Sequence, residues 1–122
     1  MTTQKNTLVL GASANPQRYS FLAINKLAAY GHPVKAIGLR EGTVGNVPLV
    51  TGQPALEGID TITLYLSAAN QRQYYDYILS LHPKRIIFNP GAENPELEDL
   101  AVKNGIQPLE ACTLVMLSTG QY

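Results

Sequence analysis

The stretch Leu8–Ser20, LVLGASANPQRYS, narrows the fold of this chain more than any other. Residues 7–10 form an apolar run with a β-branched bias, which predicts a buried, central strand. Gly11 ends it. Gly11-Ala12-Ser13-Ala14-Asn15-Pro16 can neither continue a strand nor start a helix, so it predicts a loop. A helix follows over residues 20–30. Phe21, Ile24, Leu27 and Ala28 recur at helical spacing, Ser20 is a suitable N-cap and Gly31 a suitable stop.

Strand, small-residue loop and helix together make an anion-binding turn. Gly11 lets the backbone turn and approach a phosphate, while Ala12 and Ser13 add little bulk, so N–H groups can face an anion. The Ser13 and Ser20 hydroxyls can donate to phosphate, and Arg18 can grip it with two parallel bonds. The same residues also describe an ordinary βα loop with an exposed arginine. They do not spell the dinucleotide fingerprint G-x-G-x-x-G, because Ser13 and Pro16 stand where its second and third glycines belong. They do not spell a P-loop either, since no G-K-[ST] follows.

The rest of the chain supplies partners for this unit. Residues 33–38 predict a second strand. Residues 41–58 hold four glycines and two prolines. They predict a long connection, with a weak strand at 47–50, of a length that often marks a functional segment. A third strand is predicted at 61–66, and a helix at 70–81 with Asn70 as cap and Tyr74, Ile78 and Leu81 on one face. Residues 85–88 predict a fourth strand and 89–93 a loop. Asn94-Pro95 starts another helix, with Glu96, Glu98 and Asp99 at the positive end of its dipole; Gly105 ends it. Residues 107–111 predict a fifth strand, which Pro108 assigns to a sheet edge. Cys112–Ser118 is long enough for two turns.

Strands and helices that alternate in this way imply an α/β fold: a doubly wound sheet of about five parallel strands, with helices on both faces. Strand one is the most apolar, so the expected order is 3-2-1-4-5, with the switch point between strands one and four. Ligands of such sheets bind at the carboxyl ends of the strands. Those ends fall at Gly11, Gly38, Ser67, Asn89 and Ala111.

Composition limits the partners. A chain of 122 residues suits one domain over 1–122, and 45% apolar against 15% charged residues argues against disorder. Lys+Arg and Asp+Glu are both 9, so the basic excess needed to hold nucleic acid or an acidic membrane is absent. Neutrality permits self-association. The single cysteine, Cys112, excludes an internal disulfide and a cysteine-rich metal site, and neither His32 nor His82 has a ligand at metal spacing. No metal is expected. The apolar run near the start is too short for a secretory leader, and no stretch approaches the roughly 20 apolar residues of a membrane span. The expected location is the cytoplasm.

Three further strand ends carry candidate chemistry. Arg40 is the first charged side chain after strand two, where an NAD site would want an acid. An arginine there suits a ribose that bears a phosphate, as in NADP or CoA, or else it is a solvated loop residue. Gly91 lets a ligand pass close to the backbone, while Asn89 and Glu93 either meet the ligand or only build the turn. Cys112 starts the last helix, where a thiolate is favoured, or is a small buried residue. No catalytic residue is assigned. Ser13 is outside a G-x-S-x-G elbow and has no histidine nearby, and no carboxylate pair is evident.

Gly11, Ala12, Ser13, Asn15, Pro16, Arg18 and Ser20 stand in register with the pattern G-A/L-S-x-N/D-P-x-R-x-S. Gly31-His32, Asp60–Ile62, Pro90-Gly91 and Cys112 follow in the matching order. On these residues the chain resembles the small single-domain CoA-binding proteins and the N-terminal CoA-binding domain of the succinyl-CoA synthetase alpha subunit, over nearly its whole length. The resemblance implies a Rossmann-like fold that binds coenzyme A or an acyl-CoA. It implies a diphosphate on the Gly11–Ser20 loop, with Arg18 and Ser20 near phosphate. The family's P-V-N-P at the end of strand two is replaced here by Ala36-Ile37-Gly38-Leu39, then Arg40, and the resemblance leaves Arg40 as the residue to meet a 3′-phosphate. The synthetase's phosphohistidine and ligase parts are absent, so the resemblance implies binding rather than a reaction. The expected binding set is Gly11, Ala12, Ser13, Asn15, Arg18, Ser20, Gly38, Arg40, Ser67, Pro90, Gly91 and Cys112. One alternative is an NADP-dependent reductase or CoA-dependent transferase, with Cys112 or Glu110 as proton donor. Another is an interaction protein with a vestigial pocket that pairs through Leu114–Leu117.

Overall fold

A computed structural model describes residues 3–122; Met1 and Thr2, at the start of the stretch weighed above as a leader, lie outside them. The apolar run becomes β1 (Thr7–Ala12), which continues through Gly11. Side chains alternate along a strand, so β1 serves two cores at once. Leu8 and Leu10 pack on one face, Val9 and Ala12 on the other.

The chain then runs through α1 (Tyr19–Ala29), β2 (Val34–Gly38), β3 (Gly42–Val44), β4 (Val47–Val50) and β5 (Thr61–Leu64). Next come α2 (Ala68–Gln71), a 3-10 turn at Arg72–Tyr74, α3 (Tyr75–Ser80), β6 (Arg85–Phe88), α4 (Pro95–Lys103), β7 (Gln107–Glu110) and α5 (Thr113–Ser118). Ile24 and Leu27 of α1 and Leu117 of α5 cover the Val9 face. Ile78 of α3 and Leu97 of α4 join Leu8, Ile62 and Phe88 on the other. The α/β class with both faces covered is therefore as expected.

Two details of the sheet differ. Among the described residues it has seven strands rather than five, in the order β3-β4-β2-β1-β5-β6-β7. All neighbours are parallel except β3 and β4. In terms of the five expected strands the order is 2-1-3-4-5, not 3-2-1-4-5. The cause lies in residues 41–58. Val44 and Val47 pair across a two-residue turn, and Gly45 supplies its positive φ of 59°. The returning β4 then pairs with β2. That hairpin covers the outer edge of β2, so the strand at Thr61 goes to the free side of β1. The switch point is therefore between β1 and β5.

The central position of β5 also explains its composition. All four of its residues are buried. Ile62 and Leu64 enter the α3–α4 core. Thr61 and Thr63 face the other way, where their hydroxyls are hydrogen-bonded: Arg85 Nε donates to Thr61 at 2.8 Å and Asn89 Nδ2 to Thr63 at 2.7 Å. Pro108 is on an edge strand, as expected. Gln107 and Ala111 donate their N–H groups to the Lys84 and Phe88 carbonyls, so alternation turns the nitrogen of Pro108 to the open side, where no donor is needed. Among the described residues, no helix is long and apolar enough to cross a membrane.

Candidate ligand-binding site

The carboxyl ends of β1, β2, β5 and β6 open onto a cleft of ≈ 860 Å³. Two glycines allow these ends to close up. β1 slips by one residue against β2 between Leu10 and Ala12, and Gly11, at φ 92°, takes up the slip. A β-carbon on Gly11 would lie 2.8 Å from the Tyr65 carbonyl carbon and oxygen. One on Gly38 would lie 2.2 Å from the Ala12 carbonyl oxygen. Both glycines thus admit neighbouring backbone, whatever they do for a ligand.

The loop after β1 builds itself. Ser13 Oγ accepts the Asn15 N–H at 3.1 Å, and Asn15 Oδ1 accepts the Gln17 N–H at 3.0 Å. The Asn15 carboxamide oxygen therefore serves the turn, and the Ser13 hydroxyl proton stays free for the cleft. Arg18, not Ser20, is the residue before α1, with φ −91° and ψ 142°. Ser20 is one position further into the helix and is buried. Among the described residues no side chain caps α1, and no acid stands in its first turn. The N–H groups of Tyr19 and Ser20 have no acceptor among the described residues. Bare N–H groups at the positive end of the dipole favour an anion.

α4 is the opposite case. Asn94 Oδ1 accepts the Leu97 N–H at 3.3 Å, Pro95 opens the helix, and Glu96 and Glu98 stand in its first turn. Its dipole is answered from within the chain. The two helix starts differ in sequence, and only that of α1 borders the cleft.

Charge on the cleft is segregated. Arg18 and Arg40 are exposed, form no ion pair among the described residues, and share their half with Glu41. The half beyond them is lined by Ser67, Asn70 and Gln73 after β5 and by Pro90 and Gly91 after β6, none of them charged. Gly91 has φ 92° and nothing within 4 Å of its missing β-carbon, so the cleft is open there.

All the expected binding residues border this cleft except Cys112. Cys112 is half-buried and precedes α5. Glu110, the other proton donor considered, is exposed on β7 beside Glu98, whose carboxyl is raised by burial and then by Glu110 itself. It is not part of the cleft either. Asn89 turns inward: besides Thr63, its Nδ2 donates to the Leu64 carbonyl at 2.9 Å, and its Oδ1 accepts the Thr113 N–H at 2.9 Å. It ties the start of α5 to β5. Glu93 accepts the Gly91 N–H at 2.9 Å and so builds the turn. Met116 and Leu117 of the proposed pairing segment are buried in the chain's own fold, and Val115 is exposed. Among the described residues there is no group of three His, Cys, Asp or Glu side chains able to hold a metal ion.

Sequence reasoning missed Tyr65, Asn70, Gln73 and Tyr74 as cleft residues. Among the described residues the Tyr65 hydroxyl is buried without a hydrogen-bond partner, and burial pushes it up to about 12. The nearby Thr113 and Thr63 hydroxyls oppose that shift; they also bond each other at 2.8 Å, and Thr63 accepts from Asn89. The signal for Tyr65 and Asn70 was the strand end at β5, which the expected strand order set away from β1.

No curated protein matches the chain. Among solved structures, an uncharacterized protein is 47% identical, covers 99% of this chain and 100% of its own, and has a TM-score of 0.96. A hypothetical protein from Pyrococcus horikoshii OT3 is 17% identical over 95% of this chain and 83% of its own, with a TM-score of 0.85. The protein called cell-free ID.343 from Thermus thermophilus is 20% identical over 98% of this chain and 91% of its own, also at 0.85. The last two share the fold. Residues 5–118, nearly the whole sequence, match the family described as CoA binding domain, and the chain belongs to that family.

Proposed function

We propose that the chain, as one domain, binds coenzyme A or an acyl-CoA in this cleft and performs no chemistry on it. The contrast between the two helix starts supports this reading most. α4 answers its own dipole, whereas α1 leaves bare N–H groups at the cleft that Arg18 and Arg40 also line. CoA has a matching division. Its diphosphate and 3′-phosphate are anionic, and its pantetheine tail is a chain of neutral amides. The diphosphate lies at the start of α1, beside Ser13 and Arg18. The 3′-phosphate meets Arg40, and the tail runs over Ser67 and Gly91. The two side chains that a reductase or transferase would draw on as acid, Cys112 and Glu110, are outside the lining.

Mass spectrometry of the purified protein under native conditions identifies any carried ligand, and calorimetric titration ranks CoA against NADPH. Binding of CoA in preference to NADPH is expected. Binding of NADPH without CoA would overturn the reading.

A further inference from the structure

The two loops that border the uncharged half of the cleft are joined by one side chain. Gln71 ends α2 and has no exposed surface. Its Nε2 donates to the Leu66 carbonyl at 2.8 Å and to the Ala92 carbonyl at 2.7 Å. Leu66 follows β5, Ala92 follows β6, and both border the cleft. The other end of the amide is also held. Gln71 Oε1 accepts from Asn94 Nδ2 at 2.9 Å, and that nitrogen also donates to the Tyr75 hydroxyl at 2.8 Å. Both N–H bonds of each amide are thus used. A flipped Gln71 would set its oxygen against two carbonyl oxygens, so a single orientation survives.

We propose that Gln71 is a positioning residue: by clasping the loop after β5 to the loop after β6, it sets the width of the cleft where an uncharged ligand tail lies. The identity of that tail, pantetheine, rests on the CoA reading above. α1 and the loop after β2 make no bond to Gln71, so the charged half of the cleft keeps its shape without it. The clasp therefore acts on one part of the ligand. A purely structural glutamine would affect every ligand of the cleft alike.

The test uses the whole chain and two ligands. One is CoA. The other is adenosine 3′,5′-bisphosphate, which has the 3′-phosphate and one phosphate of the diphosphate but no pantetheine. Calorimetry on Gln71→Met is expected to give CoA affinity about tenfold weaker than wild type. Affinity for the bisphosphate stays within about twofold. Gln71→Glu adds a readout that a structural role would not move. Its carboxylate faces two carbonyl oxygens when ionised, and protonation restores one donor. Its CoA affinity relative to wild type therefore recovers as pH falls from about 8 to about 5, while its relative bisphosphate affinity stays flat. Equal losses for both ligands, or no loss for CoA, would overturn the clasp. If Gln71→Met does not fold, the pH profile of Gln71→Glu decides. Failure of the wild type to bind CoA at all would remove the CoA reading itself, and it is visible before any variant is made.

Discussion

A β-carbon on Gly38 would stand 2.2 Å from the carbonyl oxygen of Ala12, far inside van der Waals contact. The obstacle is backbone, which cannot rotate aside as a side chain would. Gly38→Ala should therefore push the end of β2 from β1, at the upper end of the about 1–3 kcal/mol typical of overpacking. Gly52→Ala is the control. Gly52 has φ 79° and nothing within 4 Å, so it carries only the left-handed backbone cost of roughly 1–2 kcal/mol. Urea denaturation of both variants, with CoA titration, checks this. Gly38→Ala should lose stability and CoA affinity together, and Gly52→Ala stability alone.

Arg18 and Arg40 are exposed and unpaired among the described residues, so their removal should leave folding untouched. Each is expected to make a charge-assisted contact with phosphate, worth about 1.5–3 kcal/mol, or roughly ten- to hundredfold in affinity. Arg18→Ala should weaken CoA and dephospho-CoA equally, because both carry the diphosphate. Arg40→Ala should weaken CoA and spare dephospho-CoA, which lacks the 3′-phosphate. Calorimetry with the two ligands reads this directly, and equal behaviour of the two variants would detach Arg40 from the 3′-phosphate.

The cleft residues of the first loop were legible because their chemistry is local. A glycine, two small residues, Asn-Pro and an arginine stand within one loop, and the turn they form needs nothing from the rest of the chain. The sheet order was not legible in the same way. Gly45-Asn46 between Val44 and Val47 is a two-residue hairpin signal. Its second strand shows only as the weak one at 47–50, and its first, three residues long and mostly exposed, is too short to stand out among glycines. Without that hairpin the outer edge of β2 looked vacant, and the strand at Thr61 was assigned to it. The threonines of β5 also take their partners from distant residues. Their alternation with Ile62 and Leu64 reads as one wet face, yet Arg85, Asn89 and Thr113 satisfy them from more than 20 residues away. The Gln71–Asn94 pair is equally distant in sequence, and no local pattern could announce it.

The Tyr65 hydroxyl gives a prediction of unusual sign. Among the described residues it is buried with no hydrogen-bond partner. An unsatisfied buried donor costs about 1–3 kcal/mol, so Tyr65→Phe should leave stability unchanged or raise it. Chemical denaturation measures the change. Alkaline absorbance titration should also lose the tyrosine that ionises at about 12. A clear loss of stability would mean that the hydroxyl is hydrogen-bonded in solution.

His32, at the end of the sheet away from the cleft, should govern part of the acid stability. It is 5% exposed, its Nδ1 accepts the Lys5 N–H at 3.0 Å, and its ring lies 4.8 Å from that of Tyr122. Burial first, then the charges of Lys5 and Arg85, hold it below the ordinary histidine value. The unfolded chain takes up this proton near pH 6.5, at about the unperturbed value. Below that point the unfolded state binds more protons than the folded one, and stability rises with pH wherever this holds. The contribution is thus whole above the unfolded pKa and is lost as pH falls from about 6.5 through the lower folded value. His32→Gln keeps a neutral acceptor for the Lys5 N–H and has no proton to gain. Urea denaturation across this range should show wild type ahead of the variant at neutral pH and the gap closing as the solution is acidified. A gap that stays constant would show that His32 titrates alike in both states.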